Sequence, residues 1–328
     1  MFRYLASAEK VTVVLLIGVT VLILSAATFI VFKRLARLWT HAPAPNYSRR
    51  VKWVHRAVLV MAAVLVVCGA YSFWEPYRLE VTKVTVPTPK LLAGARPIRI
   101  VHISDTHCEG RPLLEDRVVD VIAGLQPDVI CFTGDCINHP SGLPRFRRLM
   151  TQLDRIAPTF AVYGNWDWNA WRGRENYFAG TGVQVVDRRP IRVLVDNQPL
   201  WVTGFGFFDD DVALNVSLAL ADVPPDEPVV FLHHMPSVVL DLPERGVDLC
   251  LTGHTHGGQV VLPFYGPIVT LTPTGRRFWA GLYRYEDTYM YVNRGLGVEG
   301  HWLPRIRFLA RPELTLIQLT PQSVLTGP

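Results

Sequence analysis

IRIVHISDTH at residues 98–107 and DVICFTGD at residues 128–135 decide the fold. Each is a short apolar run that ends in a carboxylate. Ile98 to Ile103 reads as a buried strand, Leu113 to Leu125 as a helix, and Asp128 to Thr133 as the next strand. Pro144 to Ile156 then reads as a helix and Thr159 to Tyr163 as a third strand. Successive strands spaced by about 30 residues match the length of a strand–helix–strand crossover. The segment therefore opens a parallel sheet with helices packed on it.

Further along, Ile191–Val195, Leu200–Thr203, Val229–Leu232, Asp248–Leu251, Phe278–Tyr285, Tyr289–Asn293 and Leu314–Leu319 are shorter apolar runs broken by turns. They read as a second sheet. Two sheets face to face with helices outside make a four-layer α/β/β/α sandwich over residues 98–328. Residues 75–97, punctuated by Pro76, Pro87, Pro89 and Pro97, read as an extended linker.

Upstream the composition changes. Val11 to Phe32 is 22 residues without a charge. A helix of that length reaches about 33 Å, enough for a bilayer core of roughly 30 Å. Ala57 to Trp74 is 18 uncharged residues, or about 27 Å. Residues 1–74 are thus expected to be an anchor with transmembrane helices at 11–32 and 57–74. A cleaved signal peptide is the alternative for the first stretch, and a buried or interfacial helix for the second. Trp39, Tyr47, Trp53, Tyr71 and Trp74 flank the stretches, as in interfacial belts.

The formal net charge of +5 is unevenly spread. Residues 1–74 carry nine Lys/Arg against one acid, Glu9, while residues 75–328 carry 24 against 27. No basic groove stands out, so nucleic acid is not an expected partner. Lys33, Arg34, Arg37, Arg49, Arg50, Lys52 and Arg56 crowd the loop between the apolar stretches. The positive-inside rule puts that loop in the cytoplasm and the large domain outside. The five cysteines (68, 108, 131, 136, 250) fit neither a disulfide scaffold nor a zinc ribbon, and free thiols point instead to a reducing compartment. The membrane face stays open.

Five polar clusters end the apolar runs: Asp105-Thr-His107, Gly134-Asp135, Gly164-Asn165-Trp166-Asp167, His233-His234 and Gly253-His254-Thr-His256-Gly-Gly. Ligands of open α/β sheets bind beyond the carboxyl ends of strands, so the clusters are expected to converge on one edge. The donors are two Asp, one Asn and four His, a set suited to Mn, Fe or Zn and poor for Ca or a soft metal. Seven donors exceed one tetrahedral ion and fit two ions if one carboxylate bridges. Such a pair, about 3.5–4 Å apart, clamps phosphorus for in-line attack.

These motifs, with His234-x-Pro236 and the tail Asn293-Arg-Gly-Leu-Gly and Pro312-Glu-Leu-Thr-Leu, resemble the calcineurin-type metallophosphoesterases, closest to their membrane-attached bacterial branch. The resemblance covers roughly residues 75–320. It implies that Asp105, His107 and His256 hold a first divalent ion and Asn165, His234 and His254 a second, with Asp135 bridging. Manganese is the favoured metal. It implies further that a hydroxide shared by the ions attacks phosphorus, with Asp135, Asn165, Trp166 and Asp167 as the catalytic group. His234 is chosen over His233 because it precedes Pro236 by two.

The family usually has His at position 166. Here it is Trp166, whose indole donates a hydrogen bond but cannot shuttle a proton. Related enzymes that split UDP-2,3-diacylglucosamine in lipid A synthesis have Arg there, and their leaving group needs little protonation. Many members also have Asp where Asn138 stands. Trp168 and Trp171 offer a stacking or acyl-contacting wall, and Arg172, Arg174 and Arg294 are candidates to grip phosphate oxygens. Asp209-Asp210-Asp211 is expected to solvate or cap a following helix.

The expected protein is an integral protein of the bacterial inner membrane and a dinuclear metal phosphohydrolase. Its expected substrate is lipid- or nucleotide-linked, with a diphosphate or diester bond, UDP-2,3-diacylglucosamine being the narrowest choice. The alternatives are an outward-facing phosphoesterase acting on lipids or wall polymers, and a metal-binding membrane sensor or scaffold without turnover. The oligomeric state is left open.

Overall fold

A computed structural model describes residues 7–169, 176–207, 211–299 and 305–322. The chain divides into two compact units, residues 1–74 and 75–328. The first holds α1 (Ser7–Thr40) and α2 (Arg49–Trp74). Both run past their uncharged stretches, because the Lys, Arg, Leu and Ala residues that flank them are good helix formers. Leu22 is 69% exposed and Val67 67%. Such surfaces are costly in water, and by length and composition both helices are candidate membrane spans.

In the second unit the first sheet comprises β1 (Glu80–Thr88), β2 (Ile98–Ile103), β3 (Val129–Phe132), β4 (Thr159–Ala161) and β5 (Gln184–Val185). The second begins with β6 (Ile191–Val195), β7 (Gln198–Gly204), β8 (Val229–Leu232) and β9 (Leu249–Thr252). A two-stranded ribbon, β10 (Val261–Leu262) and β11 (Gly266–Pro267), follows. β12 (Gly281–Tyr285) and β13 (Thr288–Val292) complete the second sheet, and β14 (Glu313–Pro321) returns to the first. The strand orders are β1-β14-β2-β3-β4-β5 and β12-β13-β9-β8-β7-β6.

The strands β2, β3 and β4 run parallel, as do β7, β8 and β9. α3 (Glu115–Leu125) and α4 (Leu143–Ile156) cover the outer face of the first sheet. Their Val118, Ile122, Phe146, Leu149 and Leu153 pack on Val101, Ile103, Ile130 and Phe132. α3 stops where Gln126 turns left-handed just before Pro127, and α4 begins with Pro144 in its first turn. Between the sheets, Ile98, Ile100, Val129 and Cys131 meet Val202, Val230, Leu249 and Leu251. α6 (Val212–Leu220) and the turn Pro236–Asp241 close the outer face of the second sheet over Phe231, Cys250 and Met290. The architecture is an α/β/β/α sandwich with mixed sheets. Asp211 caps α6 through Leu214 N, while Asp209 and Asp210 lie outside the described residues.

Residues 80–88 depart from the linker reading. They form β1, in parallel register with β14 from Glu80↔Glu313 to Thr88↔Pro321. As an edge strand β1 tolerates Pro87 and an outward Lys83, which hid it in the sequence. Cys108, Cys131, Cys136 and Cys250 are buried free thiols.

Candidate metal centre

Five loops leave the carboxyl ends of parallel strands at one edge. β2 delivers Asp105 and His107, and β3 delivers Gly134 and Asp135. β4 leads to Asn165 at the start of α5 (Asn165–Asn169), β8 to His234, and β9 to His254 and His256. All but the half-buried Asn165 are buried. Of the seven donors, Asp105, His107, Asp135, His254 and His256 have positive φ, between 42° and 69°. Each costs about 1–2 kcal/mol in an L-residue, and strain gathered in one place marks a site that the surroundings enforce.

Two groups of donors converge. Asp105, His107 and His256 offer ligand atoms all within 4.8 Å of one another, and so do Asp135, His234 and His254. In the first, His107 Nε2 lies 3.1 Å from His256 Nε2, and His256 Nε2 lies 3.5 Å from Asp105 Oδ1. In the second, Asn165 Oδ1 lies 3.0 Å from His234 Nε2 and 2.8 Å from His254 Nδ1. Asp135 Oδ2 stands between the groups, 3.2 Å from His234 Nε2 and 3.6 Å from His107 Nε2.

The orienting bonds are made by other atoms. His234 Nδ1 faces Thr133 O at 2.6 Å and His254 Nε2 faces Leu271 O at 3.0 Å, which fixes both tautomers. The Asp105 carboxylate accepts from His254 N at 3.1 Å. Asp167 accepts backbone N–H groups from Asp135, Cys136 and Gly164 at 2.8–2.9 Å, so it staples two ligand loops together. A Cβ on Gly134 would sit 2.4 Å from Gly164 N, and one on Gly164 2.2 Å from Asp135 Oδ1.

The charges of the site call for cations. Burial disfavours an ionised Asp135, yet the His234 imidazolium outweighs it and holds the carboxyl at about 2. Burial likewise opposes the charge on His234, but Asp135 raises it to about 10. Burial pushes His107 and His254 down to about 4, so both stay neutral with free lone pairs. A proton on His234 thus does what a metal ion would do. The oxygens and neutral imidazoles fit borderline divalent cations.

The remaining expected residues are placed as follows. The Trp166 backbone N–H donates to Asp135 Oδ1 at 2.8 Å, and its ring stands edge-on to His107 with centroids 5.7 Å apart. His233 faces Phe205 instead of the donors. Trp168 is on the surface, 41% exposed. Arg172, with Trp171 and Arg174, lies outside the described residues. Arg294, expected to grip phosphate, is held by Glu313 at 3.1 Å and Glu80 at 3.3 Å. Its charge braces β1 and β14 because the folded chain encloses it between those carboxylates.

Sequence reasoning missed two residues. Arg307 is fully buried and donates to the carbonyls of Gly297, Arg294 and Ala310, with Nη2 3.3 Å from His256 Nδ1. The run Arg305-Ile-Arg307-Phe-Leu-Ala-Arg311 gives no signal that singles out Arg307 among its three arginines. Burial, with the charge of Asp135, pushes the Glu299 carboxyl up to about 7, and the neighbouring Trp166 side chain pulls the other way. The Gln259 amide clasps its backbone at 2.8 and 3.2 Å. No local pattern marks Glu299.

Comparison with known proteins agrees with this geometry. Residues 98–258 match the family described as calcineurin-like phosphoesterase. The metallophosphoesterase YkuE of Bacillus subtilis is 33% identical over 79% of this chain and 92% of its own length. The phosphodiesterase YaeI of Escherichia coli is 28% identical over 69% of this chain and 83% of its own length. The UDP-2,3-diacylglucosamine pyrophosphatase LpxG of Chlamydia trachomatis is 25% identical over 79% of this chain and 94% of its own length.

Proposed function

The chain belongs to the calcineurin-like metallophosphoesterase family, a family of hydrolases acting on phosphoester bonds, and from that membership we propose a membrane-anchored phosphohydrolase for lipid- or nucleotide-linked diphosphates and diesters. Asp105, His107 and His256 would hold one divalent ion and Asn165, His234 and His254 the other, with Asp135 shared. A bound pair supplies Lewis acidity and an activated water. The protein's part is to hold Asp135 ionised, keep His107 and His254 neutral, and lock each imidazole by its second nitrogen. Chelation is expected to abolish turnover of bis-(p-nitrophenyl) phosphate. Added Mn2+ should restore it, with about two ions per chain by elemental analysis.

The observation that carries the substrate class is Trp166. Its indole, set beside the Glu299 carboxyl, cannot itself hand a proton to a departing oxygen, as the family's usual histidine could. A leaving group that departs as a stable anion, such as a nucleoside monophosphate, suits that arrangement. Trp166→His should raise turnover of alkyl phosphodiesters by about tenfold to a hundredfold and change p-nitrophenyl substrates little. An equal effect on both would remove the leaving-group argument.

UDP-2,3-diacylglucosamine, the substrate in the name of the Chlamydia relative, is the specific candidate, and lipid A synthesis the corresponding role. Purified protein with Mn2+ should release UMP from it. Release no greater than from an Asp135→Ala control would discard this substrate and spare the wider class. The cations at the end of α1 and the start of α2 favour a second reading, an extracytoplasmic phosphoesterase. A reporter fused after Pro328 separates the two, because the lipid pathway needs a cytoplasmic domain.

A further inference from the structure

The loop between α1 and α2 closes on a cleft of about 750 Å³ within the N-terminal unit. Small-molecule pockets span roughly 300–1,000 Å³. Lys33, Arg34, Arg37, Lys52 and Arg56 line it, and no acid does. Among the described residues none of these five forms an ion pair with a carboxylate. Neighbouring rings hold several of the cations in place: Lys33 lies over Phe29 at 4.6 Å and Arg56 over Trp53 at 5.7 Å. Arg37 donates to the Tyr47 hydroxyl at 3.1 Å. That bond and the nearby charge pull the Tyr47 phenol below its ordinary value, so the local field already favours an anion.

We propose that this cleft is a binding site for the phosphate headgroup of an anionic glycerophospholipid. The proposal rests on the reading of α1 and α2 as membrane spans. The cleft is basic where it is lined by Arg34, Arg37 and Lys52 and apolar at Phe29 and Ile30, from which the exposed apolar surface of α1 continues. A phosphate with acyl chains matches both parts. A soluble anion would match only the first. The site is separate from the metal centre and makes no use of its residues.

The test uses the full chain. Carbonate extraction of membranes comes first, and release of the chain overturns the span reading and the cleft proposal together. For a retained chain, native mass spectrometry counts lipids kept from phosphatidylcholine nanodiscs with and without phosphatidylglycerol. Phosphatidylglycerol should be kept preferentially. Each cation near an anionic headgroup contributes about fivefold. Arg34→Gln/Arg37→Gln and, on the other helix, Lys52→Gln/Arg56→Gln should each therefore lower retention by about 25-fold. Arg49→Gln/Arg50→Gln removes the same charge from the first turn of α2 without touching the lining, and should lower retention far less. Equal loss in all three variants, equal retention of both lipids, or displacement of the lipid by millimolar inorganic phosphate would overturn the cleft while leaving the span reading intact.

Discussion

Asp135→Ala is expected to lower hydrolysis of bis-(p-nitrophenyl) phosphate by about a thousandfold or more. Among the described residues Asp135 is the carboxylate that stands closest to both donor groups, 3.2 Å from His234 and 3.6 Å from His107, whereas Asp105 comes only to 4.0 Å from His234. Its removal takes a charge from both sets and leaves His234 Nε2 without that partner. Asp135→Asn tests the same point with the shape preserved, since the amide keeps an oxygen but lacks the charge. Both variants should bind fewer divalent ions per chain while circular dichroism shows an unchanged fold. Wild-type turnover with full metal content in either variant would mean that the two groups do not work as a pair.

The second large effect belongs to a residue with no side chain. Gly134 sits at φ +91°, and a Cβ there would meet Gly164 N at 2.4 Å and Tyr163 C at 2.9 Å. Both obstacles are backbone, which has no rotamer to move. Gly134→Ala must part the loops that carry Asp135 and Asn165 or distort φ, and the expected cost is about 3–4 kcal/mol. That corresponds to a fall of roughly 10 °C in Tm, with loss of bound metal. Gly180→Ala is the comparison. Its φ is +75° but nothing lies within 4 Å of the added atom, so only the torsional cost of about 1 kcal/mol remains. If the two variants unfold at the same temperature, the loops are not in the contact described.

The sequence-legible parts share a physical cause. Strands β2 and β8 have the bounds read from their apolar runs because interior strands are apolar where they pack, and the edge strand β6 has them because its buried face alternates with an outward one. The donors were legible because each follows such a strand directly. β1 was not, since half of its residues face outward and its partner lies more than two hundred residues away. Glu299 and Arg307 were hidden for another reason: they act through loop carbonyls, an indole and Gln259, contacts that no periodicity encodes. Arg294 shows what a sequence leaves out, since the two carboxylates that engage it, Glu80 and Glu313, are far from it in the chain or on another strand.

β14 is the last described strand along the chain, yet it lies between β1 and β2 in the first sheet. Until residues 313–321 emerge, β1 has no neighbour and β2 keeps one open side. In a nascent chain the place between β1 and β2 therefore stays unfilled while residues 104–312 are synthesised. Exposed sheet edges of that kind invite wrong pairing and chaperone capture. Closure of this sheet, and with it the anchoring of Arg294 by Glu313, therefore waits until residues 313–321 have been made.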